Sequence, residues 1–220
     1  MNGLNLERTA AAILRAYADS LLAENEKVNL VSRSTARNIW SNHIIHSLSI
    51  LFVLDIPPML SVLDLGTGGG LPGIPLAIVR PDIRVTLLDS IGKKVRAVER
   101  MLEEVGIGNA RVVHGRAEDP AIQKALGGEF DLVVARAVAP LKDLIRWSHP
   151  LVRRERGASF RAGRITLAAP CLAAMKGGDL EAELVAWRGS GGPRTEVLGV
   201  QFRGMEEAAL TDKKIIMVEL

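Results

Sequence analysis

The residues with the most chemical promise lie between Leu63 and Gly73, where the chain reads Leu-Asp-Leu-Gly-Thr-Gly-Gly-Gly-Leu-Pro-Gly. Glycine admits positive φ and lets a ligand approach with no Cβ in the way. Gly68, Gly70 and Gly73 satisfy G-x-G-x-x-G, and Asp89 follows at the end of the next apolar stretch, the layout of a dinucleotide fingerprint. Two features argue against a pyrophosphate. Pro72 and Pro75 lack the N–H groups that a helix N-terminus offers to phosphate. Asp64, at a strand end, repels an anion and suits a cation. A sulfonium-bearing nucleoside meets both conditions: it has no phosphate, a cationic amino-acid portion for Asp64, and two ribose hydroxyls for Asp89. The plainer alternative is an ordinary strand–helix turn in which Asp64 caps backbone amides.

Other candidates are more scattered. Arg136 sits in Ala135-Arg136-Ala137-Val138-Ala139, where a guanidinium can grip phosphate, hydrogen-bond guanine O6, or make a structural ion pair with a carboxylate. Lys93, Lys94, Arg96 and Arg100 form a basic run after Asp89 that fits a solvated face or phosphate contact. Lys176 ends an apolar stretch and can reach RNA or solvent. His43 and His46 lie three residues apart on one predicted helix face, but a third ligand is lacking and metal binding is not expected. Cys171 reads as a small core residue. His114 and His149 carry no signal.

These residues need elements to position them. Apolar residues recur at helical period over Leu6–Leu22 and again over about Arg37–Leu54, with a polar break at Glu24–Asn29 and a stop at Pro57-Pro58. From residue 60 the pattern alternates. Strands are predicted at Leu60–Leu65, Arg84–Leu88, Arg111–His114 and Leu132–Ala135, with helices near Ile74–Arg80, Gly92–Val105 and Leu141–Val152. That rhythm implies an α/β, doubly wound, mostly parallel sheet with ligands beyond the carboxyl ends of its strands. Residues 1–56 form a helical extension and residues 57–220 the main domain. Residues 153–164 hold five arginines and one acid and read as a solvated loop that can support RNA. Beyond lie a strand over Leu167–Met175, a helix over Leu180–Trp187 and two late strands near Thr195–Phe202 and Lys214–Val218, the last of them antiparallel.

Composition bounds the function. A chain of 220 residues that is 48% hydrophobic and 24% charged builds a proper core. One cysteine excludes an internal disulfide and multi-cysteine metal sites. No apolar run reaches the roughly 18 residues of a membrane span, and the N-terminus does not read as a signal peptide, so a cytoplasmic location is expected. A net charge of +3 permits a polyanionic partner without demanding one. Four Phe, three Trp and one Tyr are too few for a platform on which single-stranded bases stack.

The combined pattern resembles class I S-adenosylmethionine methyltransferases, with their Rossmann-like fold, and more narrowly the bacterial 16S rRNA guanosine-N7 methyltransferases called RsmG or GidB. The resemblance is carried by Asp64-Leu65-Gly66-Thr67-Gly68-Gly69-Gly70-Leu71-Pro72-Gly73-Ile74-Pro75-Leu76 and by Leu87-Leu88-Asp89-Ser90-Ile91-Gly92-Lys93-Lys94-Val95-Arg96. Arg116-Ala117-Glu118, Ala135–Ala139, Lys176-Gly177, Asn29-Leu30 and His43-Ile44-Ile45-His46-Ser47-Leu48 add to it. It spans about residues 24–148. It implies methyl transfer from S-adenosylmethionine to N7 of a guanosine, of the position-527 type, in 16S rRNA or a small-subunit precursor, by a monomer that uses neither metal nor membrane. Cofactor contacts are then expected from Asp64, Gly66, Gly68, Gly70, Leu71, Asp89 and Arg136, with Ala117 and Glu118 on the adenine side. Asn29, His43, Lys93 and Lys176 face the RNA, and Arg136 stands at the reacting base. Glu118 and Asp119 also read simply as an acidic helix start.

Guanine N7 already presents an in-plane lone pair, so positioning dominates and neither a general base nor a nucleophile is required. The chain accordingly lacks an Asn/Asp-Pro-Pro-aromatic run after the fourth strand, and Pro170-Cys171 falls well beyond that slot. It departs from the family in two places. His46 stands where Asp is usual, and residues 153–174 are longer than the usual link, as either a local insertion or a damaged segment would be. Alternative readings are a methyltransferase of another RNA or a small molecule, an NAD(P)-dependent oxidoreductase, and a non-catalytic RNA-binding module.

Overall fold

The computed structural model describes residues 7–155, 157–178, 180, 192–200 and 210–220. Five parallel strands form the sheet's centre and one side: β1 (Ser61–Leu65), β2 (Arg84–Asp89), β3 (Ala110–His114), β4 (Leu132–Arg136) and β7 (Cys171–Gly177). β9 (Lys213–Glu219) runs antiparallel to β7, and β8 (Thr195–Gly199) pairs antiparallel with β9, giving the order β3-β2-β1-β4-β7-β9-β8. A separate hairpin pairs β5 (Ser159–Ala162) with β6 (Ile165–Ala168). The central strands are almost wholly buried, as their unbroken apolar runs require when helices cover both faces. From β1 the chain winds outward through β2 to β3, then returns to place β4 on β1's other side. The order therefore reverses between β1 and β4, whose register sets Asp64 opposite Val134.

The helices are α1 (Arg8–Lys27), α2 (Arg33–Ala36), a π-helical turn (Trp40–Ile45), α3 (His46–Leu48), α4 (Ile50–Val53), α5 (Gly73–Val79), α6 (Gly92–Val105), α7 (Pro120–Leu126) and α8 (Leu141–Ser148). Local chemistry sets several of their ends. The Asp119 side chain accepts from the Ala121 amide and Pro120 occupies the first turn of α7. Gly106, at φ +73, closes α6 with its amide on Leu102 and Glu103, while Ile107 also bonds back to Leu102.

Three expectations change. The helix read over Arg37–Leu54 is broken into a π-helical turn and two short helices. Residues 153–164 are not a solvated loop throughout, because β5 and β6 lie there and beyond. Phe160 and Leu167 are fully buried, and the Asp55 amide donates to the Arg161 carbonyl. The strand read over Leu167–Met175 is two strands, divided at Ala169-Pro170, where the missing N–H ends the β6 ladder. The helix expected over Leu180–Trp187 lies outside the described residues apart from Leu180, and so does Phe202.

Candidate active site

The glycine turn joins β1 to α5 at the carboxyl edge of the sheet, beside the point of reversal. Most of its amides are taken up within the turn and its flanking strands. Gly66 and Thr67 donate to the Leu88 carbonyl, Gly70 and Leu71 to the Thr67 carbonyl, and Ile74 to the Gly70 carbonyl. The Gly68 amide donates to Asp89 Oδ2 at 2.9 Å and the Gly73 amide to Asp64 Oδ2 at 2.8 Å. A turn that consumes its own donors has little to offer a pyrophosphate, as Pro72 and Pro75 foretold. Gly66, Gly68 and Gly70 all have positive φ, at +71°, +59° and +91°. At Gly70 a Cβ would also strike Ile74, whereas at Gly68 the nearest atom beyond its chain neighbours is the Leu30 carbonyl oxygen at 3.8 Å. The surface of the turn is therefore open at Gly68.

Two carboxylates flank the turn. Asp89, at the end of β2, is buried and accepts from Gly68 through Oδ2 and from the Ile91 amide through Oδ1 at 2.9 Å. Each oxygen has a second lone pair for a hydroxyl donor. Asp64 is fully buried, and its Oδ2 also accepts from the Thr67 hydroxyl at 2.6 Å. The plain capping role is thus real, but it uses one oxygen. Asp64 Oδ1 is equally buried and has no hydrogen-bond partner among the described residues. Burial pushes the Asp64 carboxyl up to about 6 against the pull of its two donors and of Arg136. A desolvated carboxylate with one orphaned oxygen is an unfinished site for a cation.

Arg136, at the end of β4, spans from this edge to the N-terminal helices. Its Nη1 donates to the Asn42 carbonyl at 3.3 Å and its Nη2 to His43 Nδ1 at 3.1 Å. The second contact makes Nδ1 the acceptor, so His43 Nε2 carries the proton and donates to Thr35 Oγ1 at 2.9 Å. Burial first and Arg136 second lower the His43 pKa to about 4, keeping the ring neutral. The π-helical turn, with its irregular hydrogen-bond ladder, is what presents Asn42 and His43 to the guanidinium. Tyr17, fully buried on α1, donates to the Gly69 carbonyl at 2.7 Å and clamps the turn from below.

The family model described as rRNA small subunit methyltransferase G, GidB, matches residues 10–161. The ribosomal RNA small subunit methyltransferase G of Porphyromonas gingivalis is 39% identical over 196 residues, which are 89% of this chain and 80% of that protein. Its counterpart in Bacteroides thetaiotaomicron is 36% identical over 205 residues, 93% and 90% of the two chains. The chain belongs to the rRNA small subunit methyltransferase G family. Among solved structures, a predicted O-methyltransferase from Agrobacterium tumefaciens superposes with a TM-score of 0.57 over 80% of this chain and 79% of that one, at 16% identity. A precorrin-6y C5,15-methyltransferase from Geobacter metallireducens gives 0.53 over 87% and 90%, at 14% identity. Those two likenesses speak to the fold alone, which is the Rossmann-like methyltransferase sheet.

In this methyltransferase G chain the remaining candidates take varied positions. Leu71 is buried behind the turn, and Leu30, beside the exposed Asn29, packs on Gly68 and Gly69. Ala117 is buried in the core, and its carbonyl accepts from the Gln123 side chain, while Glu118 is exposed and near Arg116 at 3.7 Å. Lys93 is exposed in the first turn of α6. Lys176 Nζ donates to the Ala139 carbonyl at 3.1 Å, and Cys171 is fully buried. No group of three metal-ligating side chains occurs among the described residues, and no helix among them is long and apolar enough to cross a membrane. The ion pair weighed for Arg136 is replaced by the Asn42 and His43 contacts, since Asp64 acts on it only through space. Sequence reasoning missed Tyr17, Thr35 and Asn42. Their types carry no motif, and only the fold brings them to the turn and to Arg136.

Proposed function

We propose that this protein transfers a methyl group from S-adenosylmethionine to N7 of a guanosine in 16S rRNA, presented as stripped RNA or within a small-subunit precursor, in the cytoplasm. The observation that carries the reading is the pair of buried carboxylates around a self-satisfied glycine turn, in a chain of the rRNA small subunit methyltransferase G family. When bound, S-adenosylmethionine supplies an electrophilic methyl on a sulfonium. Asp64 Oδ1 provides the counter-charge for its cationic portion, and Asp89 accepts from its ribose hydroxyls. Ala117 and Glu118, following β3, flank the adenine. Asn29 and Lys93 sit at the rim toward the RNA.

The protein's own part in the chemistry is alignment. His43 has both ring nitrogens engaged, and burial, aided by Arg136, Lys213 and His43, takes His46 down to about 3. Neither histidine is set to remove a proton, which suits a nitrogen that has none to lose. A guanidinium carries more donors than its Asn42 and His43 contacts use. Arg136 is thus able to donate to guanine O6 and turn N7 toward the donor.

The test is transfer of labelled methyl to small subunits, and to stripped 16S rRNA, from cells lacking the modification, followed by chromatography of the nucleosides. Label in 7-methylguanosine is expected. Label in another nucleoside, or none from a protein that still binds S-adenosylhomocysteine, overturns the target atom or the substrate while sparing the cofactor.

A further inference from the structure

A second concavity opens at the same edge of the sheet, across β4 from the glycine turn. It encloses about 320 Å³ between the carboxyl ends of β4 and β7 and the start of β9, within the range of small-ligand sites. Its polar lining is Arg136, Lys176, Lys213 and His46, and no acidic residue lines it among the described residues. Asp212 stands at the rim, paired with Lys213 at 2.9 Å. His46 is neutral because burial is reinforced by Arg136 and Lys213, so the charges that the described residues bring to the lining are positive, with Asp212 offsetting Lys213 at the rim.

The segment after β4 divides this hollow from the turn. Ala137 takes the left-handed conformation at φ +55°, which is strained for a residue with a Cβ and concentrates at functional sites. Beyond it, the Val138 side chain lies over Gly66, within 2.8 Å of where a Cβ would be. Ala137 and Ala139 line the hollow instead. One large residue therefore covers the cofactor side, two small ones leave room on the other, and Arg136 serves both.

We propose that this hollow is the subsite for an RNA backbone phosphate next to the target guanosine, held by Lys176 and Lys213 with Arg136 at its inner wall. The inference rests on the methyl-transfer reading above and adds Lys213, and the hollow around His46, to the acceptor side. Its chemistry is that of an anion seat. A cofactor carboxylate is the other anion with this chemistry, and the experiment separates the two.

Binding of unmodified small subunits is measured against salt concentration for the wild type, Lys213→Gln, Lys213→Arg and Lys176→Gln, with S-adenosylhomocysteine binding by calorimetry on each. Each phosphate contact contributes roughly 0.7–0.9 to the slope of log affinity against log salt. Lys213→Gln is expected to flatten that slope by about that amount and weaken binding severalfold at 0.1 M salt. Lys213→Arg restores the slope, Lys176→Gln repeats the loss independently, and S-adenosylhomocysteine affinity stays constant. An unchanged slope in both Gln variants, from an enzyme that still makes 7-methylguanosine, overturns the subsite and leaves the function standing. A fall in S-adenosylhomocysteine affinity with the slope unchanged assigns the seat to the cofactor's carboxylate. A wild type that neither binds nor methylates subunits overturns the subsite together with the function it rests on.

Discussion

At the scale of the residue, the cost of burying a charge explains how Asp64 can serve a cation. Its folded pKa, about 6, lies above the ordinary value of 3.8 because burial outweighs two hydrogen bonds. The charged form therefore opposes folding above pH 6, and this penalty is relieved as pH falls toward 4. Binding a cation reverses the preference, so affinity requires the carboxylate. S-adenosylmethionine is expected to bind about tenfold more weakly at pH 5 than at pH 7, since protonation with a pKa near 6 leaves roughly a tenth of the sites ionised. Asp64→Asn is expected to bind weakly at both pH values, with an unfolding temperature at pH 8 no lower than the wild type's. Calorimetric titration and thermal melts decide this, and a wild-type affinity that does not change between pH 5 and 7 sinks the role. Asp64 and Asp89 stand out in the sequence because each has a readable place relative to the glycine turn, one just before it and the other at the end of the next strand. The partners of Arg136 were not: Asn42 and His43 lie more than ninety residues upstream, and no local pattern encodes such a meeting.

At the scale of the element, α1 is fastened to α6 beside the site. Glu24, itself buried, pairs with Arg100 of α6 and with Lys27, and Ser20 donates to Glu104. The hydrogen bond from Arg100, then that from Lys27, hold the Glu24 carboxyl at about 2 against an ordinary 4.5. A depressed acid pKa stabilises the fold above pH 4.5, and that contribution is lost as pH falls toward 2. The arginine and lysine side chains are 51% and 65% exposed, so screening trims the pair's worth to about 1 kcal/mol. Glu24→Gln is expected to lower stability in urea by that amount at pH 7 and by less than half of it at pH 3. A difference that does not shrink removes the ion pairs from the explanation. This seam also shows which elements a sequence discloses. The helix over Gly92–Val105 was legible to the residue, because Gly106 marks its end as plainly as its stripe marks its face. The stretch over 37–54 was not, because its apolar spacing is that of a helix, whereas it holds a π-helical turn whose Asn42 and His43 meet Arg136, a residue of another element.

At the scale of the whole molecule, the helical extension and the sheet share one core. Leu14, Tyr17, Leu21, Ile44 and Leu48 belong to the same buried cluster as Val62, Leu71, Ile74, Met101 and Met175, and Phe160 and Leu167 of the hairpin join it. The alternation of strands and helices after residue 60 made the sheet readable, but it also suggested a boundary near residue 56 that the packing does not respect as a boundary of cores. Apolar faces that cover one another cannot be exposed one at a time without losing burial worth roughly 25 cal/mol per Å² on both sides. The turn depends on this arrangement, since Tyr17 holds Gly69 from α1 and Leu30 backs Gly68 and Gly69. The extension is accordingly expected to melt with the sheet. Calorimetry should show a single transition whose calorimetric and van't Hoff enthalpies agree, and S-adenosylhomocysteine should shift it upward as one peak. A variant lacking residues 1–56 should bind no S-adenosylhomocysteine even at concentrations that saturate the full chain. Two resolved transitions, or a truncated protein that keeps its affinity, would mean that the N-terminal helices merely decorate a site the sheet assembles alone.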